Sequence, residues 1–133
     1  KFLPFVYDNK KIFTNQKCFI LTSDNISLRF LVGYFNSKIS SKWIRDNCPE
    51  LQGGTRELSL IFFQNLPIPP ITVDNERIVH QIEALVDKIL EAKKTDNHEN
   101  LPDTTPYERE IDHLVYKLYN LTDPEIKIIE NEK

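Results

Sequence analysis

Gln52-Gly53-Gly54-Thr55-Arg56-Glu57-Leu58, followed closely by Phe62-Phe63-Gln64-Asn65-Leu66-Pro67-Ile68-Pro69-Pro70, divides this chain into two parts of different character. Adjacent glycines reach backbone conformations closed to other residues, so Gly53-Gly54 predicts a tight exposed turn that presents Gln52, Thr55 and Arg56. The apolar run and the three prolines beyond it predict an extended, non-helical exit, because proline lacks the backbone donor and disfavours helix in the residue before it. A first unit is therefore expected over residues 1–70 and a second over 71–133.

Working back towards the start, Cys18-Phe19-Ile20-Leu21-Thr22 is a continuous apolar run and the clearest candidate for a buried strand. Polar turns at Asp8-Asn9-Lys10-Lys11 and Thr14-Asn15-Gln16-Lys17 set it off from shorter candidates around Phe2–Tyr7 and Ile12-Phe13. A small sheet is expected there. Ser23-Asp24-Asn25 then offers capping side chains to an amphipathic helix with Leu28, Leu31, Val32 and Phe35 on one face. The pattern restarts at Ile39, Trp43 and Ile44, with Lys38, Lys42 and Arg45 interleaved, and stops before Cys48-Pro49. A second, more basic helix follows. Its cations suit a phosphate track or a merely solvated face, and Trp43 suits stacking on a base or a place in the core.

Forward of Pro70, Ile78, Ile82, Leu85, Ile89 and Ala92 form a heptad seam on a helix near residues 75–94. Tyr107, Ile111, Leu114, Leu118 and Leu121 form a matching seam near 106–121, opened by Thr105 as N-cap, Pro106 and Glu108. The polar stretch between them is long enough to reverse the chain, so an antiparallel α-helical hairpin is expected. Thr122-Asp123-Pro124-Glu125 starts a short last helix by the same capping logic. The fold class these readings predict is α+β: a small mixed α/β domain followed by the hairpin.

At 133 residues, 40% hydrophobic and 11% aromatic, the chain can bury a real core. It contains no methionine and starts at Lys1, so it is expected to be a piece of a longer protein. Cys18 and Cys48 lack Cys-x-x-Cys spacing and the three histidines are scattered, so no metal site is expected. Two reduced thiols, no signal-like segment and no long apolar run predict a soluble, cytoplasmic protein away from membranes. The net charge of -3 hides an asymmetry: residues 1–70 carry nine basic and five acidic residues, +4, while residues 71–133 carry eight and fifteen, -7. If a polyanion binds, it meets the front part.

The glycine turn, the Leu-Pro-Ile-Pro-Pro exit and the long helix after it resemble the TaqI-like C-terminal specificity domain of adenine-N6 DNA methyltransferases and type IIG restriction enzymes. Specificity subunits of type I systems are similar more loosely. Phe13-Thr14-Asn15, Cys18 to Thr22, Leu31 to Lys38 and the tail from Glu110 to Thr122 extend the resemblance from about Lys11 to the C-terminus. It implies a target-recognition module for double-stranded DNA, with a methyltransferase domain of the same chain that binds S-adenosylmethionine, and Mg if a nuclease is also present. Arginine pairs with guanine edges and Asn or Gln with adenine, so Gln52, Thr55, Arg56, Asn15, Gln16 and Lys17 are the base-reading candidates. Lys38, Lys42 and Arg45 are the phosphate candidates, which set register without reading sequence. The competing view of the glycine turn is an ordinary surface loop with Arg56 paired to Glu57 or Glu50.

No catalytic apparatus is legible: there is no Walker loop, no Gly-x-Ser-x-Gly, no zinc spacing and no Asn-Pro-Pro-Tyr or Asp-Pro-Pro-Tyr to hold a flipped base. Pro102-Asp103 with Glu125-Ile126-Lys127 spells a nuclease-like pattern, but its carboxylates are expected in a loop and at a helix start rather than at one sheet edge. A rival function is a protein-interaction module of the type I kind, in which the hairpin docks onto other subunits.

Overall fold

The structure, a computed structural model, describes residues 5–11, 13–14, 18–94 and 102–131. Six helices occur among these residues: α1 (Leu28–Phe35), α2 (Lys38–Asn47), the single turn α3 (Leu60–Phe63), α4 (Glu76–Lys94), α5 (Thr105–Leu118) and α6 (Asp123–Asn131). No strand occurs among them, which overturns the α+β expectation; pairing is reduced to one isolated antiparallel bridge between Glu50 and Arg56.

The correction has a local cause. An apolar run makes a buried strand only if neighbouring strands take up its backbone and a layer covers its side chains. Around Cys18–Thr22 no strand pairs with the run among the described residues: Phe19 and Ile20 are 41% and 65% exposed, and the Phe19 ring lies 5.5 Å from that of Phe63. Near Phe5 the sheet neighbour is replaced by a side chain. The Phe5 N–H donates to Asn36 Oδ1 (3.3 Å), and Asn36 Nδ2 donates back to the Phe5 carbonyl (2.9 Å). Leu60–Phe63, expected extended, is a helical turn that buries Phe63 in a three-ring cluster, 5.2 Å from Phe5 and 5.1 Å from Phe35.

α1 starts at Ser27, whose side chain accepts from the Phe30 N–H, four residues beyond Ser23, the first of the expected caps; the Ser23 hydroxyl instead accepts from the Ile26 N–H (3.0 Å) and closes the preceding turn. Its buried face is Phe30, Leu31, Tyr34 and Phe35, with Gly33 against α4. α2 begins at Ser37, which accepts from the Ser40 N–H (3.4 Å), and the Lys38 N–H is taken by the Asp112 carboxylate of α5 (2.8 Å). That carboxylate is only 4% exposed and supplies the acceptor that a helix start needs.

α4 and α5 bury Val79, Ile82, Leu85 and Val86 together with Ile111, Leu114 and Val115; Ile82, Leu85, Ile111 and Leu114 lie on the expected seams, whereas Ile78, Ile89, Tyr107 and Leu118 of those seams are only partly buried and Val79, Val86 and Val115 take the interior beside them. Lys88, late in α4, lies 5.7 Å over the ring of Tyr107 at the start of α5, so the two run antiparallel. Residues 95–101, which would make the reversal, lie outside the described residues. α5 opens one residue earlier than expected: Thr104 is the N-cap position, its hydroxyl bonded to Glu108 (2.9 Å), with the Asp103 carboxylate accepting from the Thr105 N–H (3.0 Å). At α6 the Glu125 carboxylate accepts from both the N–H and the hydroxyl of Thr122 (2.8 and 2.7 Å). The two carboxylates of the nuclease-like pattern are thus employed as helix caps.

One core joins both sides of Pro70. Phe30, Leu31, Tyr34, Phe35, Phe63 and Leu66 from the front pack with α4 and α5 from the rear. The Tyr34 hydroxyl donates to the Pro67 carbonyl; the Tyr119 hydroxyl stands 2.6 Å from that of Tyr34 and 3.1 Å from the same carbonyl. The proline segment is tied by this node to α1 and to the end of α5. α6 packs outside, with no buried residue.

Candidate nucleic-acid interface

α2 leads through Cys48-Pro49 directly into the glycine loop, so the basic helix and the presenting turn are one continuous stretch. The loop closes on itself. The Leu51 N–H donates to the Thr55 carbonyl (2.8 Å), the Gly54 N–H to the Leu51 carbonyl (3.2 Å), and the Glu57 N–H to the Pro49 carbonyl (3.0 Å). Gly53 and Gly54 have φ of +86° and +79°, the left-handed region in which a β-carbon is strained. Nothing lies within 4 Å of where those β-carbons would be, so glycine is required here by conformation and not by crowding. Gln52 and Thr55 stand exposed at the tip.

Arg56 sits at the stem. Its Nη1 lies 3.0 Å from the Glu50 carboxylate across the isolated bridge, and its side chain is 25% exposed. Its Nε is enclosed and has no hydrogen-bond partner among the described residues. Beneath it, burial pushes the Cys48 thiol up, against the opposing pull of the Arg56 charge. Of the two partners that the surface-loop view offered Arg56, the structure pairs it with Glu50, opposite it across the short turn.

Lys38, Lys42 and Arg45 fall at i, i+4 and i+7 of α2 and so share a face. Each has company within the chain. Lys38 is paired with Glu130 of α6, Lys42 Nζ lies 3.0 Å from Asp46, and the half-buried Arg45 is likewise engaged. Glu130 also accepts from the Tyr116 hydroxyl (2.7 Å), and the Lys38 and Tyr116 bonds hold its carboxyl below the usual carboxylate range. Asn15, Gln16 and Lys17 lie outside the described residues; Thr14 and Cys18 on either side of them are exposed. Trp43 is half-buried and packs against the core.

Among the described residues no group of three or more His, Cys, Asp and Glu could hold a metal, and no helix is long and apolar enough to cross a membrane.

The loop, closed by its own backbone hydrogen bonds, stands at the end of a basic helix. The TaqI-like C-terminal specificity domain family matches residues 1–68, just over half of the 133 residues, and the chain belongs to that family. Membership carries a role in DNA target recognition within restriction-modification enzymes, in a specificity domain and not a catalytic one. No curated protein and no solved structure matches the chain.

Proposed function

We propose that this chain is the sequence-reading part of a type II, IIG-like restriction-modification enzyme, directing adenine-N6 methylation by a methyltransferase domain of the same protein. That domain would bind S-adenosylmethionine itself, and cleavage with Mg would fall to a nuclease domain where one is present. The observation that carries the reading, beside family membership, is the glycine loop: its backbone is closed by internal hydrogen bonds while Gln52 and Thr55 project from the tip. A contact surface held in shape before binding spends less on ordering when DNA arrives. Arg56, with Asn15, Gln16 and Lys17, completes the base-reading set, and the α2 face of Lys38, Lys42 and Arg45 follows the phosphates.

The interaction-module reading draws on the acidic rear part and its seams. Those seams are filled by α4, α5 and α1 among themselves, which favours the DNA-reading assignment over a hairpin held free for another subunit.

The test is selection of preferred duplexes from a randomised pool by the chain and by its Gln52→Ala and Arg56→Ala variants. Loss of preference at particular base positions, worth about 1–3 kcal/mol each, is the expected result. Uniform weakening on all sequences would instead make the altered residue a phosphate contact, and unchanged binding would remove the loop from the interface.

A further inference from the structure

We propose that α6 is a built-in mask over the basic face of α2, in which the Glu130 carboxylate holds the Lys38 ammonium that a DNA phosphate would otherwise take. The inference rests on the DNA-binding reading above and adds the regulation of that surface.

Four features converge on it. Lys38 is the first residue of α2, and its ammonium is paired with Glu130 at the surface, where both side chains remain more than a third exposed. A phosphate can therefore reach the same place. Second, α6 is acidic, with Asp123, Glu125 and Glu130 against Lys127, so it repels the polyanion that α2 would attract. Third, α6 buries no residue of its own, and its bonds to the body include the Lys38 and Tyr116 contacts of Glu130. Half-exposed ion pairs of this kind contribute little in water, whereas a duplex that displaces one gains the release of its condensed counterions.

Fourth, the backbone at Lys38 is held independently of α6. Its backbone N–H is fixed by the buried Asp112 carboxylate (2.8 Å), and the hydroxyl of Ser40, two residues on, donates to the Tyr34 carbonyl (2.7 Å). Displacing α6 would leave the Lys38 backbone where it stands and release its ammonium from Glu130.

The experiment measures binding of the 133-residue chain to double-stranded DNA of random sequence over a salt series, in four forms: unaltered, Glu130→Gln, Lys38→Ala and the double variant. Glutamine retains an oxygen for the Tyr116 hydroxyl, so only the charge is lost. With Lys38 present, Glu130→Gln is expected to tighten binding about threefold at low salt. It should also steepen the fall of log K with log salt by about one. With Lys38 replaced by alanine the same change should have no effect, since the competitor then has nothing to cover.

An equal gain in both backgrounds would show a diffuse charge effect and overturn the mask. No gain in either, in a chain that binds DNA, would overturn it too while leaving the DNA-binding reading intact. If no form binds any duplex, the reading itself falls and takes the mask with it. Far-UV circular dichroism on each form registers whether α6 stays helical; tighter binding through Lys38 supports the mask whether α6 remains folded or melts away.

Discussion

At Gly33 a β-carbon would stand 2.9 Å from Val86 Cγ2 and 3.0 Å from Ile82 Cγ2, so α1 and α4 approach as closely as they do only because that side chain is missing. Both neighbours are buried and β-branched, with little freedom to turn aside. Gly33→Ala should therefore cost about 1–3 kcal/mol of overpacking, of which the better helix propensity of alanine returns about 1. Urea denaturation of the two forms measures the difference. An increase in stability would mean that α1 can shift outward without loss. The same residue type serves another purpose at Gly53 and Gly54, where space is open and the positive φ is what excludes side chains.

Among the elements, α6 is attached in part through charge, by the Glu130–Lys38 pair. The folded-state pKa of Glu130 is lowered, by its bond from Lys38 first and from Tyr116 second, so its contribution is complete above the unfolded value and is lost as pH falls through the folded one. Glu125, lowered by its Thr122 bonds, acts in the same direction at the start of the helix. Acidification below the ordinary carboxylate range should thus free α6 while α4 and α5 persist. Amide hydrogen exchange read at residues 126–130 and at 79–86 would show the first set losing protection at higher pH than the second; simultaneous loss would mean that α6 is integral to the core.

The helices were legible in the sequence because their signals are local. Ile78, Ile82, Leu85 and Ile89 recur at helical spacing, and Thr122 with Glu125 writes its cap within four residues. The glycine turn was legible for the same reason. What failed was Cys18–Thr22, where an apolar run specifies an extended chain only together with partners elsewhere, and Leu60–Phe63, where the prolines act on the residues beside them and leave the preceding turn free to coil. Polar pairings across the fold, Asp112 to the start of α2 and Glu130 to Lys38, carry no spacing signal at all.

On the scale of the whole molecule, the front and rear stretches share a single core, with Phe30, Leu31, Tyr34 and Phe35 laid against Val79, Ile82, Val86 and Ile111. A chain ending at Pro70 would expose that entire face of α1 to water. Such a fragment should lack the helical signal of the intact chain in circular dichroism, and the intact chain should unfold in one cooperative transition. A fragment of residues 1–70 that melts cooperatively by itself would show that α4 and α5 are dispensable to the front part.

The closure of residues 50–56 on themselves bears on how a new specificity could be acquired. The Glu50–Arg56 bridge and the Leu51–Thr55 hydrogen bond define both stems of the turn, and every residue of the tip between them, 51–55, is exposed. Replacing the tip is a small graft onto an unchanged stock, whereas exchanging everything before Pro70 between relatives would force two foreign halves of one interior to fit. On the proposed reading, in which the tip contacts bases, descendants of this architecture would diversify by cartridge at the loop and inherit the rest intact.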